Sequence, residues 1–279
     1  MRRFVIAAVT GWLLATAPSW AAKGSDGGGD ALSEAEVLYQ QGLRAMKRGY
    51  YTRAQEKFNR VRNFHRDDPL SVKAQLAIAD MHFKKGDHEQ ARFEYEEFAA
   101  LHPRHPNLDY VTYRIGLSIH RRSPAVAGRD LTATKAAVNA WAGFESRFPE
   151  STHIDEVVKL RQRSRDRLAV KELFIAKFYA KRSAWGAVQS RAEYMLSRYP
   201  DSQHVPEALL LLGTALHAWG DVEAAQQVRA RLVQDAPDSD WLRHLDRVLA
   251  REPGTRPDER VFIRPYRIRT PAMPGQPPS

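Results

Sequence analysis

From Ser33 to about residue 250, apolar side chains recur at three- and four-residue spacing with few breaks, which is the period of helices that bury one face. Ser33 followed by Glu34 and Glu36 offers an N-cap with acidic first-turn residues and marks where the pattern starts. Within this run the chain repeats itself. KRGYYTRAQEKF (residues 47–58), KKGDHEQARFEY (84–95) and AWGDVEAAQQVR (218–229) each place a glycine, Gly49, Gly86 or Gly220, five residues before an alanine, Ala54, Ala91 or Ala225. A fourth copy, KRSAWGAVQSRA (181–192), keeps the frame with Ser183 and Val188 at those two positions.

The frame predicts helix hairpins. Glycine ends a first helix in the left-handed conformation without a Cβ penalty, and a serine there costs about 1 kcal/mol. The alanine marks where the second helix crosses the first closely, so a larger side chain would push the pair apart. One turn later Phe58, Tyr95 and, after Ala137, Trp141 are expected to fill the space between one hairpin and the next. A small residue also recurs on the first helix, as Gly42, Ala79, Gly116, Ala176 and Gly213.

Prolines close the second helices: Pro69, Pro103, Pro149, Pro200 and Pro237 stand 34, 46, 51 and 37 residues apart. The first interval is the tetratricopeptide period, and the others read as that period with extensions. The expected fold is therefore all-α, a right-handed solenoid of about five tetratricopeptide-like hairpins over residues 33–250. Gly116 and Ala137 are 21 residues apart where the other copies have 12, which predicts an inserted loop over residues 119–130.

The flanks differ in kind. Arg2 and Arg3, an apolar stretch to about residue 17 and the triplet Ser19-Trp20-Ala21 read as a signal peptide over residues 1–21. Residues 22–32 are glycine-rich and polar, a flexible leader. Residues 251–279 hold seven prolines and six arginines and are expected to be unstructured.

The formal charge of +10 favours acidic partners, and export disfavours nucleic acid, for which no zinc-finger spacing or aromatic RNA-binding signature occurs. The chain has no cysteine, which removes thiolate metal sites and cysteine nucleophiles. His102 and His105 lack a third ligand nearby, and Gly27 to Gly29 lack the lysine of a phosphate loop. No catalytic residue, metal or cofactor is expected, and the predicted role is a non-catalytic scaffold.

Two surfaces carry candidate chemistry. Tyr39, Tyr51, His82, Tyr110 and Tyr113 are expected to line a concave groove for an extended peptide, because tyrosine gives large contact area with little entropy lost. From Lys159 to Arg182 nine basic residues face two acidic ones, and Lys159, Arg163 and Arg167 fall at successive turns as a basic face for an acidic partner.

Several strings add a resemblance. HPNLDYVTYRIGLS (105–118) after LHPR, GRD (128–130), FPES (148–151) and KRSAWGAVQSRAEYMLSRYPDS (181–202) resemble the BamD family of outer-membrane assembly factors over roughly residues 33–240. The resemblance implies a periplasmic scaffold at the inner face of the outer membrane, working with a BamA-like barrel protein and the other assembly-machinery subunits. It implies that the N-terminal repeats (33–150) receive unfolded outer-membrane proteins and that the C-terminal repeats (151–250) dock a POTRA domain of the barrel protein. Arg191, in QSRAEYML, occupies the family's POTRA-contacting arginine position. The lipid-bearing cysteine usual in the family has no counterpart among these 279 residues, and the 119–130 loop is shorter and less aromatic than the family's. A periplasmic repeat adaptor in envelope or cell-division complexes is the alternative with the same fold.

Overall fold

The computed structural model describes residues 33–123 and 130–255. The expected signal peptide, leader and most of the proline-rich tail lie outside these residues. Twelve helices occupy the described residues: α1 (Glu34–Lys47), α2 (Tyr51–Phe64), α3 (Pro69–Lys85), α4 (His88–Leu101), α5 (Leu108–Arg121), α6 (Thr132–Ala140), α7 (Phe144–Arg147), α8 (Ile154–Ala180), α9 (Trp185–Arg198), α10 (Val205–Ala218), α11 (Val222–Asp235) and α12 (Asp240–Leu249). They pair as five hairpins, α1 with α2, α3 with α4, α5 with α6, α8 with α9 and α10 with α11, and each hairpin packs on the next. α12 covers α10 and α11 at the end of the stack. The result is a tetratricopeptide-like helical solenoid whose apolar core is divided along its length rather than gathered at one centre.

The repeat frame explains the hairpin turns. Gly49, Gly86 and Gly220 have φ of 81°, 88° and 77°, and Ser183 takes the same role at φ 54°, the one non-glycine residue with positive φ among the described residues. Asp87 and Asp221 then cap α4 and α11, accepting from Gln90 N and Ala224 N. Ala54, Ala91, Ala137, Val188 and Ala225 are all fully buried at the crossings.

The rings do more within a hairpin than expected. A Cβ on Gly42 would lie 2.6 Å from the Phe58 ring, and one on Gly116 would lie 2.2 Å from Trp141 Nε1. Phe58 and Trp141 therefore sit on the small residue of their own first helix, and Phe58 reaches Ala74 and Ile78 of the next hairpin as well. The small position is a seat for the ring, and this is why glycine stands there.

Three further expectations change. Pro69 opens α3 instead of stopping α2: Asp68 caps that helix by accepting from Leu70 N at 2.8 Å, and proline at the first helical position loses no hydrogen bond. Ile119, His120 and Arg121, placed in the inserted loop from sequence, form the last turn of α5, since Leu117 and Ile119 continue its buried face. Residues 251–255 of the expected unstructured tail lie against α10, where Gly254 N donates to His217 O at 3.1 Å and a Cβ on Gly254 would fall 1.9 Å from Ala218 O.

The 27-residue α8 joins the first three hairpins to the rest. Arg161 fixes its start by donating from Nη1 to Trp141 O at 3.1 Å and to Glu145 Oε2 at 2.8 Å, with a second contact from Nη2 to Oε1. The carboxyl of Glu145 is held below its usual range mainly by that arginine.

Candidate functional site

In a stack of hairpins the first helices, here α1, α3, α5, α8 and α10, form an inner row. On the first three of these the inner side is organised around Asp80 of α3. Tyr95 of α4 and Tyr110 of α5 both donate to Asp80 Oδ1, at 2.5 and 2.6 Å. Arg114, one turn beyond Tyr110, donates from Nε to Tyr95 Oη at 3.0 Å and brings Nη2 within 3.7 Å of Asp80. Its guanidinium carbon lies 3.7 Å from the centre of the Phe83 ring and 5.4 Å from that of Tyr110, so it is held between aromatic faces as well as hydrogen-bonded.

Tyr39 of α1 joins from the other side. Its ring packs on Phe58 at 5.7 Å, and its hydroxyl is pushed above the ordinary phenol range by burial and by the charge of Asp80. Burial and then Asp80 push Tyr95 and Tyr110 the same way. These phenols stay protonated and act as donors at any physiological pH. Toward α8, Tyr113 stacks on His153 at 4.8 Å with 7° between the rings, and Tyr110 approaches the same imidazole at 5.7 Å. Ser151, in the turn before α8, donates to Asp109 Oδ2 at 2.6 Å and fixes that junction.

Of the five residues expected to line one groove, Tyr39, Tyr110 and Tyr113 thus fall on this row. Tyr51 stands at its edge, at the start of α2, with its hydroxyl 3.4 Å from Lys84 O. His82 is not on the row: it is buried under α4, with Nδ1 3.7 Å from Asp87 and neither ring nitrogen hydrogen-bonded. Burial lowers its pKa despite nearby Glu94 and Asp87. Helix α3 is covered on two sides, so its apolar face is wide enough to take in position 82. Sequence reasoning missed Asp80, Arg114 and His153. The signal for Asp80 was a lone carboxylate in the apolar stretch AIADM.

The second half differs. Arg191 of α9 donates from Nη1 to Glu172 Oε2 at 3.0 Å, so it already has a carboxylate partner in its own hairpin. Of the basic face on α8, Lys159 and Arg163 are exposed and Arg167 is half-buried. Arg167 and Arg163 lie close enough to His120 to lower its pKa, after burial as the main cause, while His120 Nδ1 sits 3.1 Å from Ser164 Oγ. Lys177 of α8 pairs with Glu207 of α10, and Arg165 pairs with Asp201 in the turn before α10.

Among the described residues no group of three histidine, cysteine, aspartate or glutamate side chains could hold a metal ion. His102 is 2.9 Å from Gln75 Oε1 and lines a surface depression with Val72 and His105. Among the same residues no helix is long and apolar enough to cross a membrane.

The YfiO family, described as "Outer membrane lipoprotein", matches residues 32–241. Among curated relatives, the outer membrane protein assembly factor BamD of Xylella fastidiosa (strain 9a5c) is 30% identical over 217 residues, 75% of this chain and 74% of the relative. BamD of Neisseria meningitidis (strain Z2491) is 28% identical over 218 residues, 75% of this chain and 82% of that one. BamD of Caulobacter vibrioides is 27% identical over 222 residues, 80% of this chain and 72% of that one. The match runs through the whole stack of hairpins, the tyrosine row and Arg191 included, and the chain belongs to the YfiO family of outer membrane lipoproteins, together with the assembly factors named BamD.

Proposed function

We propose that this protein is a non-catalytic periplasmic scaffold of the outer-membrane β-barrel assembly machinery, in which the tyrosine row of the first three hairpins receives extended segments of unfolded barrel proteins and Arg191 docks a POTRA domain of a BamA-like barrel protein. The row supports the first half of this reading. Tyr39, Tyr110 and Tyr113, set by Asp80, Arg114 and His153, offer half-buried aromatic faces that are already ordered, so a client segment meets them without first ordering side chains. The family match supports the second half. Glu172 uses one of the five N–H donors of Arg191, and the guanidinium it steadies presents further donors to a partner carboxylate.

The test is co-purification of the full chain with a BamA-type barrel protein. Wild type is expected to hold the barrel, and Arg191→Glu to weaken the complex by about 2 kcal/mol or more, because it sets a carboxylate against the partner's and against Glu172. Glu172→Gln relieves the second repulsion alone and serves as the control for local damage. A wild-type chain that never recovers such a barrel ends the proposal.

A further inference from the structure

The second half of α8 carries a surface that neither Arg191 nor the tyrosine row uses. Asp166 and Glu172, the two acidic residues of this stretch, are turned toward Ser202 and Arg191. Arg163, Lys171, Phe174 and Phe178 fall on the remaining side, inside an arc of about 80° at 3.6 residues per turn, and Lys181 and Arg182 follow in the turn where the helix ends. No carboxylate of residues 163–182 enters that arc. Phe174 is 56% exposed and Phe178 46% exposed, two large apolar side chains one helical turn apart with cations on both sides of them. Arg182 covers part of the Phe178 ring, its guanidinium carbon 3.6 Å from the centroid.

The place of the surface narrows what could cover it. α8 meets α5 where His120 reaches Ser164, packs on α6 and α9, and meets α10 where Lys177 pairs with Glu207. The open arc lies between the α5 and α10 contacts, on the inner side of the stack. A strip framed by α5 on one side and α10 on the other suits a polypeptide segment laid along the helix. The distance from residue 163 to residue 182 along the helix is about 29 Å, which about nine residues span when extended. The cations ask for carboxylates, and the two rings ask for apolar side chains between them.

We infer that the inner face of α8 is a second polypeptide-binding site, specific for an acidic, extended segment of about nine residues that presents both carboxylates and apolar side chains on one face. Carboxylates pair with Arg163, Lys171 and Lys181, and the apolar side chains rest on Phe174 and Phe178. The chain's own C-terminal residues, rich in arginine, have the wrong charge for this place. The site stands apart from the docking of Arg191, so either can fail alone.

The test is fluorescence anisotropy of a labelled ten-residue peptide in which pairs of glutamates alternate with pairs of leucines, so that each face of the extended peptide carries both, titrated with the full mature chain. Saturable binding is expected, at least tenfold weaker for Phe174→Ala/Phe178→Ala and at least tenfold weaker for Arg163→Glu/Lys171→Glu, with Arg231→Ala on α11 unchanged and all variants melting like wild type. Absence of saturable binding at 100-fold excess over the probe, as an order of magnitude about 100 μM, overturns the inference. So does binding that responds to the charge variants and to salt but not to loss of the two rings, since that is unspecific attraction. Binding to phosphatidylglycerol vesicles with none to the peptide also overturns it, in favour of a membrane surface.

Discussion

The inner side of the first three hairpins and the inner side of α8 use the same kinds of side chain and treat them in opposite ways. In the first, the phenols of Tyr95 and Tyr110 end on one carboxylate, the guanidinium of Arg114 lies between rings, and Tyr113 is stacked on His153. On α8, Phe174 and Phe178 stand out from the helix, and the cations beside them face no carboxylate of their own stretch. Aromatic residues can thus serve folding in one half of a solenoid and be left for contact in the other. The difference lies in whether neighbouring helices bring hydrogen-bond partners to them. Exposed rings beside cations suit one complementary surface.

The strongest way to break the contrast is to remove a ring that is wholly structural. Trp141 is fully buried on Gly116, donates from Nε1 to Tyr113 O at 3.2 Å and belongs to the core beneath the start of α8. Trp141→Ala is expected to cost about 3–5 kcal/mol, because the cavity cannot collapse around a rigid hairpin. Chemical denaturation followed by circular dichroism measures it. A cost below about 1 kcal/mol would mean that the first half is no more tightly built than the second.

Next in size is the carboxylate at the centre of the row. Asp80→Ala leaves the buried Tyr95 hydroxyl without its acceptor and removes the carboxylate to which Tyr110 donates. The expected loss is about 2 kcal/mol, the range for orphaning a buried donor. Titration of tyrosine absorbance gives a second reading: Tyr39 should ionise at lower pH in the variant, since burial remains but the added push from Asp80 is gone. Unchanged titration would remove Asp80 from its organising role.

How much of this could be read from the chain depended on how local each feature is. The hairpin turns follow from residues five apart, so Gly49, Gly86, Gly220 and even Ser183 were legible. The ring positions were legible too, but their seats were not: that Trp141 rests on Gly116 requires knowing that two residues 25 apart face each other across a hairpin. Pro69 could be read as a stop or as a start, and only the side chain of Asp68 decides between them. The Asp80 centre draws on four helices, α1, α3, α4 and α5, and no spacing in the sequence announces such a meeting. His82 had the polarity of a surface residue and is buried because α3 is flanked on two sides. On α8 the cations were visible as a charge bias, while nothing in the spacing set the exposed Phe174 and Phe178 apart.

The smallest expected effect is the sharpest test of the contrast. Phe174→Ala/Phe178→Ala removes as much aromatic surface as any change in the first half, yet both rings are about half in water and neither belongs to the apolar clusters of the core. What is lost is the contact of Arg182 with the Phe178 ring, about 0.5 kcal/mol at an exposed site. What is gained is helix propensity, since alanine exceeds phenylalanine by about 0.5 kcal/mol per position in an exposed helix. The two nearly cancel, and the net change in unfolding free energy should stay within about 0.5 kcal/mol. The same denaturation experiment that reads Trp141→Ala reads this pair, and the slope with denaturant should not move because the surface exposed on unfolding hardly changes. A loss of several kcal/mol would place the two phenylalanines in the fold after all. A neutral result leaves two large apolar residues that folding does not require, exposed among the cations of α8.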